Sequence, residues 1–132
     1  MILMDTSGLY ALADARDAHH PAARRELARL LSGGEEFLVH TYILCETFAL
    51  VHHRLGLEAA VRVSRDTRSF RTVTVDRALH DEAVARLLEV SGRAPSLVDA
   101  LSFLAMRREG IETAFAFDPD FVRAGFRVLP EE

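Results

Sequence analysis

Short apolar runs and stretches of helical periodicity alternate along this chain. Ile2-Leu3-Met4 is an apolar run that stops at Asp5. Thr6-Ser7-Gly8 follows, and Leu9, Tyr10 and Leu12 then recur at helical spacing, so the opening reads as strand, turn, helix. Pro21 suits the first turn of a helix through about residue 31, which Gly33-Gly34 ends. Phe37-Leu38-Val39 reads as a second buried strand. Thr41 is placed to cap a helix to about Leu55, closed by Gly56, and a further helix covers roughly 58–69. Residues 72–75 form the third expected strand, and Asp76 is a natural cap for a helix ending near Ser91-Gly92. Pro95-Ser96 opens a helix to about Glu109, stopped by Gly110. Residues 113–117 and 126–129 supply the fourth and fifth strands.

Strands and helices therefore alternate, and the strands are continuous apolar runs rather than strict alternations. This predicts an α/β fold: a mostly parallel central sheet of about five strands with helices on both faces. At 132 residues the chain fits a single domain, 1–132. Asp5 and Asp118 each fall just past the C-terminal end of an expected strand, the edge at which open α/β sheets collect ligands.

Composition narrows the chemistry. An apolar content of 49% excludes disorder as the default. The one cysteine, Cys45, cannot form an internal disulfide; within Tyr42-Ile43-Leu44-Cys45 it reads as a small core hydrophobe. No apolar run reaches the roughly 20 residues needed to span a membrane. The N-terminus lacks a basic region and Asp5 interrupts its apolar start, so a signal peptide is not expected and the cytoplasm is. The net charge of −4 disfavours tight, purely electrostatic binding of nucleic acid, although it leaves room for a nuclease that uses cations. All 16 basic residues are Arg. Without Lys there is no Walker A loop, no kinase-type phosphate-pairing Lys and no Schiff-base chemistry. Haloacid-dehalogenase phosphatases and receiver domains, which share small α/β folds with acidic pockets, normally need a Lys as well.

The candidate chemistry lies in the acids. Glu46 has Tyr42, Ile43, Ala49 and Leu50 as its helical neighbours, so its helix is expected to be apolar around most of its girth and buried. A buried carboxylate must be protonated, paired with an Arg or bound to a metal. Asp5 could cap the first helix or serve as a ligand, with Ser7 able to take over the cap. Asp99 completes a Ser96-Leu97-Val98-Asp99 capping box, which is a sufficient structural role by itself. Asp118 precedes Pro119 and could start a turn, with Asp120 a second candidate for the same role. Together, acids from several elements suit hard cations such as Mg²⁺ or Mn²⁺. Phosphodiester hydrolysis assisted by paired cations needs them roughly 3.5–4 Å apart and flanked by acids. His52-His53 read as exposed or partner-facing, His19-His20 as loop. Arg71, Arg107 and Arg108 are guesses at phosphate contacts that no spacing supports.

With these residues in view, the chain resembles the PIN-domain family, most closely the VapC-type toxins of prokaryotic toxin–antitoxin pairs. Ile2-Leu3-Met4-Asp5-Thr6-Ser7 looks like the family's first motif, and Thr41 through Glu46 is similar to the second. Ser96-Leu97-Val98-Asp99-Ala100 resembles the third, and Ala116-Phe117-Asp118-Pro119-Asp120-Phe121 with Gly125-Phe126 and Val128-Leu129-Pro130 the fourth. The resemblance implies a metal-dependent endoribonuclease using one or two Mg²⁺ or Mn²⁺ ions. It implies Asp5, Glu46, Asp99 and Asp118 as ligands, a supporting hydroxyl from Thr6 or Ser7, and Asp120 as the rival to Asp118. It further implies an RNA substrate, a homodimer and an antitoxin protein. The alternatives are a PIN nuclease that processes RNA without an antitoxin, and a non-catalytic interaction module whose acids are caps and surface pairs.

Overall fold

The structure is a computed structural model and describes residues 1–131; Glu132 lies outside the described residues. Five strands form its sheet: β1 (Ile2–Met4), β2 (Phe37–His40), β3 (Arg71–Val73), β4 (Thr113–Phe115) and β5 (Arg127–Leu129). All neighbours are parallel, in the order β3-β2-β1-β4-β5. The register sets Leu3 beside Leu38 on one side and Ala114 on the other, all with no exposed surface. Such continuous burial is why the central strands read as unbroken apolar runs, whereas the edge strands β3 and β5 carry exposed Arg71, Thr72 and Arg127.

The chain moves outward from β1 to β2 and β3, then returns across the sheet to β4 on the other side of β1. The strand order thus reverses between β1 and β4, which opens a crevice at their C-terminal ends. Helices α1 (Thr6–Ala13), α2 (His20–Ser32), α3 (Thr41–Leu55) and α4 (Leu57–Asp66) make the outward crossings. Helices α5 (Arg77–Leu88) and α6 (Leu97–Glu109) make the return, and α7 (Asp120–Arg123) precedes β5. Separate apolar clusters form where α5 packs on α6 and where α1, α3 and α4 meet, so helices cover both faces of the sheet. Among the described residues no helix is long and apolar enough to cross a membrane.

Most expected elements form where the pattern puts them. Asp76 caps α5 by accepting from Leu79 N at 2.8 Å, and Gly110 ends α6 in the left-handed conformation, φ 68°. Three expectations change. The cap of α3 is not Thr41 but His40, whose ring accepts from Ile43 N at 3.2 Å; the Thr41 hydroxyl instead accepts from Val75 N at 3.0 Å. The turn expected at Asp118-Pro119 is continued by a short helix, α7, that the pattern does not predict. Helix α3 is not buried all round. It turns Ile43, Thr47 and Val51 inward, at helical spacing, and leaves Cys45, Glu46 and Ala49 exposed, so Cys45 is not a core residue.

Gly8 governs how closely α1 approaches the sheet. A Cβ there would lie 2.5 Å from the Phe115 ring and 2.6 Å from the Phe115 carbonyl oxygen. Its hydrogen lets α1 press onto the end of β4, and that contact holds the residues after β1 against those after β4.

Candidate active site

Asp5 ends β1 in extended conformation and caps α1. Its Oδ2 accepts from Ser7 N at 3.1 Å and from the Ser7 hydroxyl at 2.5 Å. The Ser7 oxygen in turn accepts from Phe117 N at 2.9 Å, which ties the end of β1 to the segment after β4. The cap therefore belongs to Asp5 and not to Ser7, but both bonds fall on one oxygen. Oδ1 makes none among the described residues. Thr6 is buried and turns the other way, its hydroxyl oxygen 3.1 Å from that of Thr47 on α3. Of the two hydroxyls expected beside the first acid, Ser7 is the one that reaches it.

Asp99 enters from the first turn of α6. The Ser96 hydroxyl accepts from Asp99 N at 3.1 Å, which forms one half of the capping box. The reciprocal half is missing: the Asp99 carboxylate makes no bond back to Ser96 N among the described residues. It points into the crevice, 7% exposed, where one oxygen each from Asp99, Asp118 and Asp120 lie within 4.8 Å of one another. Asp118 Oδ1 accepts from Asp120 N at 2.9 Å, a local turn that aims both acids the same way. Asp120 also pairs with Arg123 at 2.8 Å. Asp118 and Asp120 thus sit side by side rather than as alternatives.

Burial pushes the Asp99 carboxyl up to about 8, and the charges of Asp5 and Asp118 push the same way. Asp5 is raised to about 6, again mainly by burial; the two Ser7 bonds oppose the rise, and the charges of Asp118 and Glu46 add to it. Burial and the neighbouring acids therefore make Asp99 hold its proton more tightly than a free carboxyl does. Glu46 is exposed on α3 and outside the three-acid group. The expectation that it is buried is overturned, and with it the desolvation argument for its role. That argument applies to Asp5 and Asp99 instead, which are 3% and 7% exposed. Glu46 stands close enough to act on Asp5 through its charge.

Other expected polar residues fall outside the crevice. His52 and His53 are exposed. His20 is the first residue of α2 and bonds the Ala11 carbonyl at 2.7 Å, whereas His19 stacks on Phe117 with ring centres 4.3 Å apart. The sequence reading missed His40, which is fully buried, with Nε2 2.9 Å from the Ser102 hydroxyl of α6. Its position at the junction of an apolar strand and a helix, where caps sit, is the signal that could have found it.

The donors at the crevice are all carboxylate oxygens, contributed by segments far apart in the chain. Such a set fits a hard divalent cation of the Mg²⁺ or Mn²⁺ kind rather than a metal that prefers nitrogen or sulfur. Neutralising the mutual repulsion of these acids is what a bound cation would do here.

Comparison with known proteins agrees with this architecture. A family model described as PIN domain matches residues 2–127. The chain is 40% identical over 134 residues to the 23S rRNA-specific endonuclease VapC20 of Mycobacterium tuberculosis, covering 99% of this chain and 100% of that protein. The crystal structure of M. tuberculosis VapC20, described as a Sarcin-Ricin loop cleaving toxin, superposes with a TM-score of 0.84 and 36% identity over 96% of each chain. The structure of VapBC2 from Rickettsia felis, bound to a promoter DNA fragment, shares the fold at a TM-score of 0.69 with 13% identity, covering 97% of each chain.

Proposed function

Because the chain belongs to the PIN-domain family, we propose that it is a metal-dependent endoribonuclease, the toxin of a toxin–antitoxin pair, with residues 1–132 acting as a single domain. Its substrate in this reading is RNA, with 23S ribosomal RNA the first to test, since that is what the 40%-identical relative is named for. The observation that carries the reading is the convergence of Asp99, Asp118 and Asp120 within 4.8 Å, beside a buried Asp5, at the point where the strand order reverses.

Asp5, Glu46, Asp99 and Asp118 are proposed as the catalytic acids and ligands of one or two Mg²⁺ or Mn²⁺ ions. Glu46 contributes from α3, Asp120 supports beside Asp118, and Ser7 supports Asp5 directly, whereas Thr6 supports only by bonding Thr47 of α3. A divalent cation bound there supplies charge neutralisation and polarises the scissile phosphate. The residues do the rest. The Ser7 hydroxyl holds Asp5 to the Phe117 backbone and so fixes the spacing between the first and fourth acidic segments. Because burial and the neighbouring acids raise the Asp99 carboxyl, a cation held there would compete with its proton, and occupancy would rise with pH. A homodimer, an antitoxin that blocks the crevice and a cytoplasmic location complete the proposal.

The test is direct. Purified chain with Mn²⁺ should release discrete fragments from 23S ribosomal RNA; EDTA or Asp5→Asn should stop it. Mn²⁺ should also raise the melting temperature by mass action. Intact RNA after incubation with protein that demonstrably binds Mn²⁺ would refute the nuclease assignment.

A further inference from the structure

The acidic crevice repels the polyanion it is proposed to cut, and the whole chain carries a net charge of −4. RNA must therefore be held by a local reversal of sign. Of the arginines guessed from the sequence, Arg71 is paired with Glu109 at 2.9 Å and Arg108 with Glu82, which leaves Arg107. A cavity of about 420 Å³ runs between α5, the segment before α6, α6 itself and α7. Its walls carry Arg86, Arg93, Arg107 and Arg123 against only two acids, Glu89 and Asp120. Its lining also includes an apolar floor of Leu87, Val90, Ala100, Phe103 and Leu104.

Two of these guanidinium groups are uncommitted to any carboxylate. Arg93 and Arg107 make no ion pair among the described residues, and Arg107 rests over the Phe126 ring at 5.3 Å with one weak bond to the Ala124 carbonyl. Arg86 is 3.9 Å from Glu82, a carboxylate already engaged by Arg108. Only Arg123 is firmly paired, and its partner is Asp120. Asp120 belongs both to this cavity and to the three-acid group, so the two sites share a wall. Along α6, Arg107 lies eight residues past Asp99, roughly 12 Å at helical rise. That span suits a short length of strand rather than a single phosphate.

We infer that the groove between α5, α6 and α7 seats the RNA strand next to the cleaved bond, with Arg93 and Arg107 bonding its phosphates and the apolar floor receiving a base. Guanidinium forks match phosphate and carboxylate oxygens alike, but the groove shares Asp120 with the acids proposed to cut a phosphodiester, which favours the strand being cut over an acidic protein segment. The inference rests on the ribonuclease reading for its substrate class, but its test does not require cleavage.

A fluorescein-labelled single-stranded RNA is titrated into the EDTA-treated full chain by anisotropy at several salt concentrations. The same series is run on Arg93→Ala and Arg93→Ala/Arg107→Ala. Affinity should fall by on the order of tenfold in the double variant. The slope of log affinity against log salt should lose roughly 0.7 for each phosphate contact removed. With Mn²⁺ and ribosomal RNA, the same variants should raise KM and leave kcat and the Mn²⁺ melting shift unchanged. Arg93 is exposed and makes no side-chain bond among the described residues, so the single variant stays informative should loss of Arg107 disturb folding. Arginine-dependent binding without any cleavage would sink the nuclease reading and keep the groove. Cleavage with unchanged KM and unchanged salt slope would overturn the groove. Unchanged RNA binding with loss of a co-purified protein would overturn it too, and assign the surface to that partner.

Discussion

Helix α6 carries two buried polar side chains three residues apart, Asp99 and Ser102, and their surroundings are opposites. Ser102 is fully buried and fully satisfied: its hydroxyl donates to the Val98 carbonyl at 3.0 Å and accepts from His40 Nε2 at 2.9 Å. His40 in turn accepts from Ile43 N through its other ring nitrogen at 3.2 Å. Those bonds require a neutral ring with its proton on Nε2, and burial holds its pKa down to about 4. Asp99 faces other acids instead, and burial together with their charges drives it up to about 8. One cluster closes on itself and clamps α3 to α6. The other is left in need of a positive charge. Buried polar groups that satisfy one another build structure, whereas buried like charges left facing one another mark a site.

The largest effects should come from exchanging these roles. Asp99→Asn should cut RNA cleavage by at least roughly a thousandfold if the cation is lost. In metal-free protein the same change should leave the melting temperature unchanged or raise it, because it relieves repulsion. His40→Ala should do the reverse. It should destabilise by roughly 2–4 kcal/mol, since it opens a cavity and orphans a backbone N–H. The Mn²⁺-induced rise in melting temperature should survive in whatever folds. Denaturant melts with and without Mn²⁺ measure both.

A smaller effect separates the two clusters by pH. Asp99 binds its proton more tightly folded than unfolded, so metal-free stability from this group is complete below about pH 4 and is lost as pH rises toward about 8. His40 runs the other way: its contribution is complete above about pH 6.5 and is lost as pH falls toward about 4. Metal-free stability should therefore decline in the wild type as pH rises from about 6.5 to about 8, where only Asp99 is changing, and flatten across that window in Asp99→Asn, with the acid-side decline retained. An unchanged decline between about pH 6.5 and 8 in the variant would argue against the acid cluster as its source. The smallest expected change is Ser7→Ala, which removes the bridge between Asp5 and Phe117 and should cost about 1 kcal/mol. Its effect on cleavage should exceed its effect on stability if the bridge sets the spacing of the acids.

What the sequence determined by itself was local. Apolar runs, caps such as Asp76 and Ser96, and stops such as Gly110 depend on neighbours within a few residues, so the strands, the helices and the parallel sheet were all readable. The four acidic segments were readable as well, because they sit at element ends. Only the tertiary structure decided which way each side chain turns. Helix α3 looked apolar around its girth, yet lies against the molecule along one face, leaving Cys45 and Glu46 in solvent. Asp99 could have closed a capping box, yet turns to Asp118 and Asp120. His40 finds Ser102 across 62 residues of chain. Burial and charge proximity depend on contacts between distant segments, and no local pattern encodes which of two allowed rotamers those contacts will select.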